Sequence, residues 1–219
     1  MVDNELLADV ELFRALSQEA FDQIAAEASP RSLRRGDVLF AEGDDSDELF
    51  VVERGRIAIA NRSPDGRESV VALMEAGDIF GEMGLFDGVG RSADARALEA
   101  SRVYAVAYEP LREVFEQKPE LLWGVVEMLA RRLRTMDAAL ADSVFLDVTG
   151  RTAKRLLELS AGADEFALPI TQEELAGLVG ASRERVNKAI SSFIRLGWLE
   201  QRDRKYAITD REQLARRSR

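Results

Sequence analysis

The chain contains no cysteine and no histidine. These absences exclude disulfides, zinc sites with nitrogen or sulfur ligands, iron–sulfur clusters and the common axial ligation of haem, leaving carboxylates as the only remaining metal ligands. They also remove the usual base and nucleophile of hydrolytic enzymes. No pair of carboxylates sits in a glycine loop for acid and base work, so catalysis is not expected. Long apolar runs are missing too, none approaching the roughly 18 residues that a membrane helix needs. The opening stretch MVDNELLADV carries acid where a secretory signal carries base, so a cytoplasmic protein without membrane contact is expected.

What is present suits two small domains. The chain has 219 residues, 46% apolar and 32% charged, which is enough for two separate cores. The net charge of −10 is unevenly spread. Asp147 to Arg219 holds 14 Lys and Arg against 11 Asp and Glu, a balance of +3, whereas residues 1–146 hold 16 against 29, a balance of −13. Phosphate should repel the first part and be tolerated by the second.

The basic part contains TQEELAGLVGASRERVNKAISSFIRLGWLE, Thr171 to Glu200. Thr171 and Glu174 have the spacing of a capping box, Leu175, Leu178 and Val179 follow at helical intervals, and Gly180 breaks the helix. Ser182 can N-cap a second helix, on which Val186, Ala189, Ile190 and Phe193 share one arc while Arg183, Glu184, Asn187, Lys188 and Ser191 lie on the other. An ordinary amphipathic pair would also show a charged outer face. Here, however, Arg183 and Lys188 can donate to guanine, Glu184 can accept from cytosine, and all three lie near the helix N-terminus, where a recognition helix meets the major groove. Downstream, Trp198 to Ile208 reads as a hairpin wing able to lie on the DNA backbone.

The acidic part opens with an amphipathic helical stretch, Leu6 to Ala28, and then shortens its period. From Val38 to Val106, β-rich segments alternate with turns such as Pro64-Asp65-Gly66, the pattern of an antiparallel roll or barrel. Phe80 to Ala97, FGEMGLFDGVGRSADARA, reads as a loop between strands. Its glycines at 81, 84, 88 and 90 let backbone amides approach an anion, Arg91 offers a guanidinium fork and Ser92 a hydroxyl. Glu82 would repel a phosphate unless it engaged a donor, which the 2′-hydroxyl of a 3′,5′-cyclic nucleotide supplies. The same residues also fit a glycine-rich surface turn with an ion pair between Glu82 and Arg91.

Between the two parts, Pro119 sits where a long helix can begin. Val126, Leu129, Leu133, Met136 and Leu140 alternate spacings of three and four, the seam of a parallel coiled coil. A homodimer through residues 119–146 is expected, and its two-fold axis would pair the recognition helices over a palindromic site.

Taken together, these motifs resemble the cyclic AMP receptor protein family, which also contains the fumarate and nitrate reduction regulators. The marks of the resemblance are GEMGLF with RSA at Arg91 to Ala93, FLDVTGR at Phe145 to Arg151, and TQEELAGLVGASRERVNKAI. It implies an α+β chain: residues 1–118 a cyclic nucleotide-binding β-roll with N-terminal helices, 119–146 a dimerisation helix, and 147–219 a winged helix-turn-helix. It also implies a ligand site at Gly81, Glu82, Met83, Arg91 and Ser92, with Glu82 on the ribose and Arg91 and Ser92 on the phosphate. DNA contacts fall on Thr171, Ser182, Arg183, Glu184, Asn187 and Lys188, Lys188 standing where the founding member has arginine, and RNA polymerase becomes an expected partner. Cyclic AMP is the implied ligand, without metal, haem or iron–sulfur cluster. One departure concerns the adenine contacts. The family's Thr and small polar residue on the dimer helix fall here on Met136 and Asp137, and Asp137 can accept from the adenine 6-amino group, which guanine lacks. A member active without ligand, one answering to another nucleotide, or a nucleotide-binding module acting on a protein partner are the alternatives.

Overall fold

The computed structural model describes residues 3–14, 16–63, 68–202 and 205–219. The chain divides into two compact units, one formed by Met1–Arg67 and Val71–Leu133, the other by Arg134–Arg219 with Glu68–Val70. The turn read at Pro64-Asp65-Gly66 lies outside the described residues.

The first unit begins with two helices, α1 (Asn4–Ala8) and α2 (Gln18–Glu27). The amphipathic helical stretch read from Leu6 to Ala28 is not one unbroken helix. Instead the chain turns between them, and Ser17 restarts the helix by accepting from the Ala20 amide. The strands follow as β1 (Ser29–Leu33), β2 (Val38–Phe40), β3 (Glu48–Arg54), β4 (Ile57–Arg62), β5 (Glu68–Met74) and β6 (Ile79–Phe80). Next come α3 (Met83–Asp87), β7 (Asp94–Ala97), β8 (Ser101–Ala107) and α4 (Tyr108–Gln117). They form two antiparallel four-stranded sheets, ordered β1-β8-β3-β6 and β2-β7-β4-β5. The segment Phe80 to Ala97 is therefore not a plain loop: it carries the end of a strand, a helix of five residues and a further strand.

Strand β3 shows why the sheets stack. Its side chains alternate in direction, and both directions are apolar. Phe50 and Val52 meet Ile57, Ala95 and Ala97 across the roll, with Phe50, Phe40 and Phe80 forming a ring cluster at 5.5–6.1 Å. Leu49 and Val51 face the other way, onto Ile24, Leu111 and Met128 of the surrounding helices. Pro119–Leu121 forms a turn of 3-10 helix, and α5 (Leu122–Phe145) starts only after it, three residues later than the proline suggested.

In the second unit, α6 (Val148–Leu159), α7 (Gln172–Val179) and α8 (Arg183–Arg195) pack on a small sheet of β9 (Glu165–Ala167), β10 (Leu199–Arg202) and β11 (Lys205–Ile208), ordered β10-β11-β9. Helix α9 (Arg211–Arg217) closes it against α6. The hairpin read from Trp198 to Ile208 is present, its turn residues 203–204 lying outside the described residues. Asp147 caps α6, accepting from the Gly150 amide at 2.8 Å and from Arg217, so the last helix is tied to the first turn of α6. These bonds, led by that from Gly150, hold the Asp147 carboxyl below its ordinary value.

Candidate ligand pocket and nucleic-acid interface

Within the first unit a cavity of about 90 Å³ is lined by Phe40, Ser46, Gly81, Glu82, Arg91 and Arg132, among others. Its geometry starts at Gly81, whose φ of +74° is left-handed, and a Cβ there would lie 2.7 Å from Arg91 Nη1. Gly84 is equally constrained, because its Cβ would meet Ser46 Oγ at 1.9 Å. The Arg91 backbone is held at both ends: its amide donates to the Asp44 carbonyl and its carbonyl accepts from the Gly43 amide, each at 2.8 Å.

The guanidinium of Arg91 is turned inward. Nη1 donates to the Gly81 carbonyl at 2.9 Å and to Tyr108 Oη at 3.3 Å, and Nη2 donates to the Glu48 carbonyl at 2.8 Å. Its Cζ lies 4.3 Å from the Phe40 ring centroid, close enough for a cation–π contact. Arg91 is only 8% exposed, yet its buried Nε has no acceptor among the described residues. A buried donor without an acceptor costs about 1–3 kcal/mol, more on a charged group. Of the five N–H donors that a guanidinium carries, the one on Nε has no acceptor among the described residues, and Nη2 has one acceptor for its two hydrogens. These open donors on Nε and Nη2 are what an anion would engage.

Glu82 is 2% exposed and does not pair with Arg91. Its partner is Arg132 on α5, at 2.5 Å, and Arg132 also donates to the Ile79 carbonyl. Sequence reasoning missed Arg132, although a buried carboxylate demands a counter-charge and α5 carries Arg131 and Arg132 beside its apolar stripe. Arg132 also supplies a donor to Glu82 without any ligand, which weakens the argument that Glu82 needs a ribose hydroxyl. Met83 is half-exposed at the start of α3, and its sulfur accepts from Ser92 Oγ at 3.5 Å. The structure thus brings Gly81, Glu82, Met83, Arg91 and Ser92 to one cavity. Met136 and Asp137 lie one turn further along α5 than Arg132, both exposed and both in the second unit.

The expected seam on α5 is uncovered in the single chain. Val126, Leu129, Leu133, Met136 and Leu140 are 39–67% exposed, and Trp123 and Val144 extend the row in both directions.

The nucleic-acid interface is built on α7 and α8. Both halves of the capping box form: Glu174 N donates to Thr171 Oγ1 at 3.2 Å, and Thr171 N to Glu174 Oε2 at 2.7 Å. Gly180 ends α7 in the left-handed region at φ +67°. Ser182 Oγ accepts from the Arg185 amide and starts α8. Val186, Ala189, Ile190 and Phe193 are buried, while Arg183, Glu184 and Lys188 are exposed and Asn187 is half-buried. Arg151 of the FLDVTGR motif was also missed as a structural tie: it donates to the carbonyls of Leu146, Val179 and Gly180, satisfying the open end of α7. Two-helix geometry, an exposed polar face and a wing beside it define a winged helix-turn-helix regulator, joined here to a small-ligand β-roll.

Comparison with known proteins specifies that class. Residues 30–118 match the cyclic nucleotide-binding domain and residues 150–217 the Crp-like helix-turn-helix domain. A CRP-like cAMP-activated global transcriptional regulator of Mycobacterium tuberculosis is 38% identical over 99% of this chain and 100% of its own. The cAMP-activated global transcriptional regulator Vfr of Pseudomonas aeruginosa is 34% identical over 78% of this chain and 85% of its own. Among solved structures, the c-di-GMP responsive global regulator CLP of Xanthomonas campestris is 26% identical, covering 88% of this chain and 99% of its own, with a TM-score of 0.76. The chain belongs to the CRP/FNR family of DNA-binding transcription regulators.

Proposed function

We propose that this regulator is a cytoplasmic homodimer that binds cyclic AMP in the β-roll and, on binding, favours the arrangement of its winged helices that fits a palindromic operator. The observation that carries the ligand reading is Arg91, a nearly buried guanidinium that lines the cavity and is held by three protein acceptors, with donors on Nε and Nη2 left over. In this reading Arg91 and Ser92 take the phosphate, Glu82 the ribose, Gly81 and Met83 line the sugar, and Asp137 with Met136 faces the base. At about 90 Å³ the cavity is smaller than the roughly 300 Å³ at which ligand pockets begin, so binding has to widen it. A ligand that does so necessarily prefers one conformation, which is the requirement for a population shift.

Residues 1–118, 119–146 and 147–219 serve as ligand domain, dimer helix and DNA domain, respectively. The exposed apolar row on α5 supports the dimer. Arg183, Glu184, Asn187 and Lys188 read base edges, while Thr171 and Ser182, whose oxygens accept in the caps, keep hydroxyl hydrogens for phosphate. RNA polymerase is the partner on promoter DNA. A second reading is favoured by Met136 and Asp137, which lack the hydroxyl pair: another nucleotide, or none, controls the protein. Calorimetric titration with cyclic AMP, cyclic GMP and cyclic di-GMP, beside gel shifts on a family-type palindrome with and without nucleotide, separates them. Cyclic AMP should bind and raise DNA affinity. DNA binding at full strength without nucleotide would favour the second reading.

A further inference from the structure

Tyr108 opens α4 and is 1% exposed, yet its phenol is not merely core. The hydroxyl donates to the Gly81 carbonyl and accepts from Arg91 Nη1 at 3.3 Å. Its amide donates to the Asp47 carbonyl at 2.8 Å, on the same loop that holds the Arg91 backbone through Gly43 and Asp44. The Arg112 guanidinium lies over the ring, its Cζ 5.8 Å from the centroid. Gly81 thus receives two donors on one carbonyl, and Nη1 is held by that carbonyl and by the phenol oxygen together. A planar fork anchored through Nη1 and one Nη2 hydrogen cannot turn without breaking buried bonds. Its free donors on Nε and Nη2 keep one direction.

We propose that Tyr108 is a positioning residue for ligand recognition: it fixes the Arg91 fork and the Gly81 carbonyl so that the two unused guanidinium donors face an incoming phosphate. The inference rests on the reading of Arg91 as the phosphate ligand. Burial raises the phenol's pKa above its ordinary value, so near neutral pH it remains the neutral donor that the Gly81 carbonyl requires.

The test is a double-mutant cycle on the full chain, with cyclic AMP affinity measured by calorimetry for wild type, Tyr108→Phe, Arg91→Lys and the double variant. Tyr108→Phe should weaken binding about tenfold, as loss of one bond to a charged group predicts. In the Arg91→Lys background, where no fork remains to be oriented, the same change should cost less than about twofold. An equal loss in both backgrounds would make Tyr108 a general structural residue and overturn the inference, as would unchanged affinity in the single variant. Should Tyr108→Phe fail to fold, p-aminophenylalanine placed at 108 keeps the ring and a donor to Gly81 but accepts poorly from Arg91. It should show the same tenfold loss, and wild-type affinity there overturns the inference. If wild type binds no cyclic AMP at all, the functional reading falls and this inference with it; if wild type binds and only the cycle is flat, the positioning role alone is lost.

Discussion

Leu133→Ala tests the α5 seam with little disturbance to the single chain. Leu133 is 60% exposed, so truncating it removes few contacts within the chain, and alanine is the best helix former. In a two-fold dimer the same residue would be buried twice. Full burial of a leucine side chain stabilises by about 1.5–3 kcal/mol, so burying the exposed 60% contributes roughly 1–2 kcal/mol per copy. Two copies give about 2–4 kcal/mol, or some 30-fold to several hundredfold in the dimer dissociation constant. Sedimentation equilibrium over a concentration series reads this directly, with circular dichroism to show that the monomer's helix content is kept. Operator binding should weaken in parallel, because a monomer offers only one recognition helix to a two-half-site operator. A Leu133→Ala protein whose dissociation constant is unchanged would show that the apolar row is not the contact between copies.

Arg183→Ala should cost about 1–3 kcal/mol per half-site on specific DNA and relax the preference there, with little change on random DNA, as read by competition gel shifts; equal losses on both would make it a phosphate contact. Asp137→Ala should narrow the preference for cyclic AMP over cyclic GMP and leave the dimer intact, since the residue flanks the seam; an unchanged ratio reduces it to a solvated side chain. Asp147→Ala should destabilise by about 1 kcal/mol through loss of a helix cap. Because the carboxyl's folded pKa is depressed, the contribution from its charge is present above the unfolded value near 3.8 and disappears as pH falls through the folded value. Denaturant melts of wild type and Asp147→Asn, which keeps the cap but not the charge, should therefore converge on going from pH 5 toward pH 3.

Features that depend on local spacing were legible in the sequence. The capping box at Thr171 and Glu174, the buried arc of α8 and the uncovered row on α5 all follow from periods of three and four. What escaped depended on distant partners. Strand β1 contains Pro30 and shows no alternation, and it exists because β8 offers it an edge. Strands β6 and β7 are two and four residues long, too short for any period to register. The loop residues Glu82, Arg91 and Ser92 could be named from chemistry, but Arg132 lies 50 positions from Glu82 and Tyr108 lies 17 from Arg91. Nothing local marks Arg132 as lining the pocket or Tyr108 as bonded to residues that do.

Helix α5 is unbroken over 24 residues. Its Arg132 is clamped to Glu82, and 13 further residues carry it to Phe145. At 1.5 Å per residue that arm is roughly 20 Å long, so a tilt of about 10° about Arg132 would sweep its far end through about 3.4 Å. Such a stiff arm magnifies displacement. A displacement at the Glu82–Arg132 pair therefore reappears, enlarged, at the far end of a single helix.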